Sequence, residues 1–405
     1  MLSGGKLVGV GMIGISKLYC GTVESSDPLR YGRHSAKLPS HLLQFSEDKK
    51  PVVVWNVSQR CNLRCVHCYS QSQNREYSGE LSTEEGQALI EDLARFGSPV
   101  ILFSGGEPLL RKALLDLVRL ATDRGMRAVI STNGTLITKK IAGELKRIGL
   151  SYVGVSLDGM RETNDRFRGV EGAFDTALRG IHHCQEAGIK VGLRFTMNRR
   201  NVQDIPEIFT LLEKENITRV CFYHLVYTGR GSQLMKEDLD HQETRRAVDL
   251  IIDHTRDLHR RNKPFEVLTV DNHADGPYLY LRMLREGSSR SSEVLGLLRM
   301  NGGNSSGVGI GCVSWDGSVH ADQFWRHYSF GNIKQRPFGE IWGDTEEALM
   351  AKLKEKGKHV KGRCASCRWL DICSGNFRVR AEAATGNLWA PDPACYLTDE
   401  EIGVV

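Results

Sequence analysis

No apolar run in the 405 residues approaches the roughly 20 needed to span a bilayer. No A-x-A-like cleavage site follows the apolar, glycine-rich stretch from Leu7 to Ile15. That stretch reads as a start-site extension, with Met12 as an alternative start. Charge of neither sign dominates. A net +5 permits an anionic substrate or an acidic partner and does not call for nucleic acid. Low-complexity tracts and collagen-type repeats are missing, and 25% charged with 40% apolar residues is the composition of a folded globular chain. An even cysteine complement is missing too. The chain has eleven cysteines, and at this length it needs no disulfide framework for its core. Reduced thiols in a cytoplasmic, membrane-free setting are the expectation.

The cysteines that are present are clustered. Cys61, Cys65 and Cys68 stand together, as do Cys364, Cys367 and Cys373. Between the two groups runs a regular rhythm. Short apolar, β-branched runs predict strands at Val52–Val57, Val100–Phe103, Ala128–Ser131, Tyr152–Ser156, Lys190–Thr196 and Arg219–Val226. Amphipathic stretches predict helices at Thr83–Phe96, Arg111–Arg124, Lys139–Ile148, Ala173–Glu186 and Ile205–Glu215. Ser82-Thr83-Glu84-Glu85 is a capping-box pattern, and Gly97, Gly125, Gly149 and Gly188 mark helix ends. Six βα units in series predict an α/β fold with a parallel sheet, doubly wound or curled as part of a barrel. A further helix is expected over His241–Arg261 and a mobile loop over 286–311. We therefore expect an irregular N-terminal extension (1–50), a core domain (51–300) and a small C-terminal domain (301–405).

Cys61-x3-Cys65-x2-Cys68 follows the first strand directly. Three thiolates hold three irons of a 4Fe-4S cluster and leave the fourth iron open for chemistry. The bland alternative is a structural zinc with His67 as fourth ligand. Gly9-x-Gly11-x-x-Gly14 matches a dinucleotide fingerprint but has neither the preceding strand nor the βαβ context that would support it.

The C-x3-C-x2-C spacing followed by Tyr69 resembles the signature of radical S-adenosylmethionine (SAM) enzymes. In that family SAM binds the open iron and is cleaved to a 5'-deoxyadenosyl radical. The resemblance extends along the strand ends: Gly105-Gly106-Glu107-Pro108, Thr132-Asn133-Gly134, Ser156-Leu-Asp158-Gly159 and Arg194. It implies a partial (β/α)6 TIM-like barrel. It also implies that Tyr69, Gly105, Gly106, Glu107, Thr132, Asn133, Ser156, Asp158 and Arg194 contact SAM, with Glu107 meeting its ammonium and Arg194 its carboxylate. Cys364-x2-Cys367-x5-Cys373 followed by Cys395 supplies four thiolates, enough for a closed 4Fe-4S cluster or, less simply, a zinc. The pattern is similar to the SPASM extension of radical SAM enzymes. Phe377 stands where a further cysteine is expected, which implies one auxiliary cluster and leaves Cys312 as a free cysteine of open role.

Tyr223–Gly231, Trp315–Trp325 and Gly362–Cys373 resemble the radical SAM enzymes of tetrapyrrole biosynthesis, as do Met12–Gly21 and Leu29–Tyr31. This resemblance implies a cytoplasmic, anaerobic enzyme of siroheme-dependent haem biosynthesis. It would remove the two acetate side chains of 12,18-didecarboxysiroheme to give Fe-coproporphyrin III. Haem d1 biosynthesis on the propionates of the same substrate, and Fe-coproporphyrin decarboxylation, are the alternatives. An iron–sulfur electron carrier is a remote one. Candidate rim cations are Arg194, Arg230 and Arg326, and candidate walls are Tyr223, Phe324 and Trp325. His224 or His320 would ligate the substrate iron, and His320 and Asp322 would handle protons. Nine Lys/Arg between Lys352 and Arg380, against Glu355 and Asp371, would attract a reduced ferredoxin or flavodoxin, or a polycarboxylate substrate.

Overall fold

The computed structural model describes residues 11–22, 50–344 and 346–404. Its strands are β1 (Met12–Gly14), β2 (Val52–Ser58), β3 (Val100–Gly105), β4 (Arg127–Thr132), β5 (Tyr152–Ser156) and β6 (Val191–Met197). They continue with β7 (Arg219–His224), β8 (Glu266–Val270), β9 (Ile310–Val313), β10 (Ser318–His320) and β11 (Gly331–Asn332). Among the described residues they form one sheet in the order β1-β8-β7-β6-β5-β4-β3-β2-β9-β10-β11. The run from β9 through β2 to β8 is parallel. β1 closes one edge and β10 with β11 the other, all antiparallel. The six expected strands are β2 to β7, in the middle of this sheet.

Alternation along each strand divides its side chains between two faces. Val53, Trp55 and Val57 of β2 point outward and pack under the helices with Ile101, Phe103 and Ile130. Val52, Val100, Val129 and Tyr152 point inward and form a separate cluster. Because inward residues from β2, β5, β7 and β8 line one cavity, the sheet is curled into an incomplete barrel. The helices sit where the periodicity places them. Helix Thr83–Phe96 begins at the Ser82 capping box, where Glu85 and Ser82 satisfy each other's backbone N–H, and ends at Gly97 with φ +88°.

Two expectations are corrected and one strand is added. Residues 12–20 are not an irregular extension: β1 pairs with β8, and the helix Ile15–Cys20 buries Ile15 and Leu18 completely. Residues 286–311 are not one mobile loop, since Ser291–Asn301 is a helix. Val294, Leu297 and Leu298, spaced i, i+3, i+4, are buried there against the rest of the core. The strand β8 was not foreseen. Its first residue, Glu266, is charged, and burial becomes tolerable because Arg219 pairs with it at 3.1 Å. Leu29–Tyr31 and Gly9 lie outside the described residues.

Candidate active site and cluster pockets

The loop after β2 carries the first three cysteines. Cys61, Cys65, Cys68, Gly105, Gly106, Thr132, Asn133, Ser156 and Arg194 all line one cavity of about 1070 Å³ at the C-terminal ends of the strands. Tyr69 joins them, its hydroxyl donating to Asn56 Oδ1 at 3.0 Å. Ten of the sequence-predicted residues are thus brought together. Local backbone geometry explains the glycines. A Cβ on Gly106 would lie 2.1 Å from Arg60 O, and one on Gly105 would lie 2.3 Å from Ser58 O at a φ of +129°. The strand end therefore nestles against the cysteine loop only because both positions lack a side chain.

The thiols differ in electrostatics. Burial pushes the Cys61 thiol up to about 12. Burial alone would also raise Cys68, but the Ser70 hydroxyl, backbone N–H groups and Arg230 hold it below the ordinary thiol range. Buried thiols in such a cavity become thiolates when a metal takes the proton's place. Among the described residues no three His, Cys, Asp or Glu side chains converge on a single ion. The thiols instead surround a void, as ligands to different metals of one cluster would.

Two predicted SAM contacts are redirected. Glu107 does not line the cavity. Its carboxylate accepts from Thr132 Oγ1 at 2.7 Å, Asn133 N at 2.8 Å and Leu109 N at 3.1 Å. It therefore braces the Thr132–Asn133 turn. Asp158 is fully buried, ion-paired with Arg168, and accepts from Thr196 N at 2.7 Å. Arg168 in turn donates to Cys65 Sγ at 3.5 Å and lines the cavity. The sequence reading missed Arg168, because its helix Arg161–Arg168 carries no motif and only the buried carboxylate reveals it. His67 lines the same cavity, with Nε2 3.4 Å from Asp158.

A second cavity of about 1180 Å³ lies deeper in the barrel and shares Val54, Leu102, Arg194, Tyr223, Asp271 and Gln323 with the first. Its walls are mostly apolar, with Arg127 and Arg219 among the polar groups that reach it, and it also receives Asp322 and Phe377. Arg194 stands between the two cavities. It is half-buried with its Nε sealed in protein, it lies 5.9 Å from the Tyr223 ring, and it makes no ion pair among the described residues, although the Asp271 carboxylate acts on it electrostatically. A half-buried guanidinium with no ion pair has donors to offer an anion entering either cavity.

Of the other substrate candidates, Tyr223 and Phe324 line cavities, whereas Trp325 is buried behind them. Arg230 is corrected: it donates from Nε to Cys65 O at 2.7 Å and from Nη1 to Ser72 O at 3.1 Å, which holds the cysteine loop. Arg326 lies over Trp315 and faces an outer groove. His320 is corrected as a proton carrier, because Nε2 meets Ser314 Oγ at 2.9 Å, Nδ1 meets Tyr328 O at 2.7 Å and the ring reaches neither cavity. Asp322 does reach the deep cavity, accepts from Ser306 Oγ at 2.5 Å, and is pushed above the usual carboxylate range by burial.

Cys364, Cys367, Cys373 and Cys395 line a separate void of about 400 Å³ with Ala274, Leu370, Leu397 and Ile402. Four thiols facing one another in an apolar void fit a fully ligated iron–sulfur cluster. Each is pushed up by burial, and Cys395 reaches about 12. Phe377, in place of a further cysteine, packs edge-on against Phe324. Cys312 is buried under a hydrogen bond from Asn56 Nδ2 at 3.4 Å and lines neither cavity. The basic stretch is smaller at the surface than the sequence suggested, because Lys356, Arg378 and Arg380 are buried. No helix of the described residues is long and apolar enough to cross a membrane.

Comparison with known proteins adds to this geometry. The Radical SAM superfamily matches residues 55–212, and SPASM, an iron–sulfur cluster-binding domain, matches residues 309–368. The chain is 69% identical to the "Fe-coproporphyrin III synthase" of Methanosarcina barkeri, over 97% of this chain and 99% of that protein. It is 42% identical to the "Pre-heme d1 synthase" of Dinoroseobacter shibae, over 87% of this chain and 88% of that one. Among solved structures, native anSMEcpe with bound AdoMet superposes with a TM-score of 0.67 at 18% identity, covering 87% and 96% of the two chains. Streptococcus suis SuiB bound to S-adenosylmethionine gives 0.69 at 18% identity, covering 86% and 78%. Both support the fold.

Proposed function

This chain belongs to the radical SAM superfamily, as an enzyme of the haem-biosynthetic group with an iron–sulfur-binding C-terminal segment, and from that premise we propose that it removes the two acetate side chains of 12,18-didecarboxysiroheme to give Fe-coproporphyrin III. Its cofactors are SAM and two 4Fe-4S clusters. We assign Cys61, Cys65 and Cys68 to the SAM-binding cluster and Cys364, Cys367, Cys373 and Cys395 to the auxiliary one. When bound and reduced, the first cluster with SAM supplies a carbon radical able to abstract hydrogen from the substrate.

The chain's own residues set up that chemistry. Gly105 and Gly106 let the strand end close onto the cysteine loop. Glu107 fixes Thr132 and Asn133 at the cavity wall, and Arg168 ties Cys65 to Asp158. The observation that carries the substrate reading is the deep, mostly apolar cavity with Arg194 at its mouth. A flat macrocycle with several carboxylates needs apolar walls and a desolvated cation. Asp322, at the cavity wall, is pushed above the usual carboxylate range by burial, which suits a group that exchanges a proton there. The name of the 69%-identical relative supports the same product. We further propose a reduced ferredoxin or flavodoxin as electron donor, drawn to the exposed part of the basic stretch.

The test is anaerobic turnover of didecarboxysiroheme with SAM and a reductant, read by product mass. Loss of two acetate groups is expected. Loss of propionate-derived groups instead would assign the chain to the haem d1 reaction. Absence of 5'-deoxyadenosine from the reconstituted, reduced protein would refute both.

A further inference from the structure

An iron tetrapyrrole offers its binding site one group that a metal-free macrocycle does not, namely an axial position on iron. Two histidines singled out from the sequence are poorly placed to fill it. Both ring nitrogens of His320 are engaged within the protein. His224 lines the thiol cavity and has its Nε2 held on Asp275 at 2.9 Å.

His273 is different. It is 2% exposed and lines the deep cavity. Its Nδ1 is sealed in protein without a hydrogen-bond partner, and no bond to either ring nitrogen is found among the described residues. Nδ1 cannot reach the cavity, so the nitrogen open to a ligand is Nε2, which is unbonded among the described residues and not sealed in protein. Its backbone, by contrast, is clamped. Asn376 Oδ1 accepts from His273 N at 2.7 Å, Asn376 Nδ2 donates to Asn272 Oδ1 at 2.8 Å, and Arg380 Nη2 donates to Asp271 O at 2.8 Å. Asp271 enters this turn at φ +67°. The ring is thus positioned by main-chain contacts while its own nitrogens stay uncommitted, the arrangement of a ligand held ready. Burial and the Lys356 ammonium push its pKa down to about 3, so it is neutral at neutral pH and has a lone pair to give.

We propose that His273 ligates the iron of the macrocycle in the deep cavity, with Arg194 meeting one of its carboxylates. This rests on the tetrapyrrole reading above.

The probes are ferric Fe-coproporphyrin III and metal-free coproporphyrin III, added anaerobically to the reconstituted full chain. Binding is followed by the Soret band and ligation by electron paramagnetic resonance. Resonance Raman of the ferrous complex reports the iron–imidazole stretch. The wild type should show an imidazole-ligated iron. His273→Ala should lose that signature, regain it on addition of imidazole, and bind the iron porphyrin about tenfold or more weakly. Its affinity for the metal-free porphyrin should stay within about twofold. His224→Gln should keep the signature. If His273→Ala does not fold with its clusters, His273→Gln takes its place, filling the volume without a strong iron ligand. An imidazole signature that survives at His273→Ala, or disappears at His224→Gln instead, overturns the assignment. So does a wild type that binds the iron porphyrin without a histidine ligand. If the wild type binds neither porphyrin, the tetrapyrrole reading fails with it.

Discussion

Gly106→Ala places a methyl group where the backbone cannot make room. Its Cβ would stand 2.1 Å from Arg60 O, 2.6 Å from Arg60 C and 2.7 Å from Gln59 O. All three are main-chain atoms, so no side chain can swing away. Relief requires Arg60 to move outward by more than an ångström. That strains two bonds, Gly106 N to Ser58 O and Glu107 N to Arg60 O, both 2.8 Å. Overpacking costs about 1–3 kcal/mol, and each weakened bond about 0.5–1.5 kcal/mol. The loss should therefore be about 2–6 kcal/mol, a large fraction of a typical stability of about 5–15 kcal/mol. Arg60 immediately precedes Cys61, so the displacement falls on the thiol geometry. Unfolding by denaturant should show the stability loss, and calorimetric titration of the reconstituted protein should show weaker SAM binding. Gly143→Ala is the control. It lies in the helix Lys139–Arg147 with nothing within 4 Å of its Cβ, and should gain about 0.5–1 kcal/mol. If Gly106→Ala unfolds within about 0.5 kcal/mol of wild type and binds SAM normally, the close-approach argument is wrong.

Arg194→Met should leave stability unchanged or raise it, since it removes a half-buried charge that makes no ion pair. It should also weaken binding of coproporphyrin III by about tenfold or more, and equal affinities in a titration would show that Arg194 meets no substrate carboxylate. Cys373→Ala should lose about four irons per chain while keeping some SAM cleavage; an unchanged iron content by chemical assay would sink the four-thiol assignment. Cys68→Ala should abolish 5'-deoxyadenosine formation altogether, measured by chromatography. Glu213 is held down to about 2 by Arg261 and Lys263, against an ordinary 4.5. Its contribution is therefore present above pH 4.5 and lost as pH falls toward 2. Glu213→Gln should flatten that part of an acid titration followed by circular dichroism, and an unaltered curve would contradict the assignment.

Much of this was legible in the residues. The strands β2 to β7 announced themselves because parallel strands buried on both faces read as continuous β-branched runs. The helix starting at Thr83 announced itself through the Ser82 capping box. The cysteine loop and the glycines at the strand end were legible because spacing alone brings them to one rim. What stayed hidden depended on partners far along the chain. β8 opens on Glu266, whose charge is countered by Arg219. The helix Ser291–Asn301 opens on two serines and carries Gly296 at its centre, which hid it, and it is held by packing of Val294, Leu297 and Leu298. Glu107 and Asp158 carry the right motif, yet their orientation is decided by Thr132, Asn133 and Arg168, which no spacing rule reports. His273 has no motif at all. Only the lack of a hydrogen-bond partner on its ring, beside a cavity, distinguishes it from an ordinary core histidine.

Arg380 has a consequence for engineering. Its guanidinium donates to Asp392, to Leu225 O at 3.1 Å and to Asp271 O at 2.8 Å. One side chain of the C-terminal segment therefore fastens the chain just after β7, the chain just after β8 and the approach to Cys395. β9 of that same segment lies in the sheet beside β2. The C-terminal segment is consequently not a cassette. A chimaera that joins this barrel to a relative's cluster-binding segment must import an arginine and aspartate in the same relation. Otherwise two buried carbonyls lose their donor at the mouth of the cavity, and the graft fails at the seam however well each half is formed.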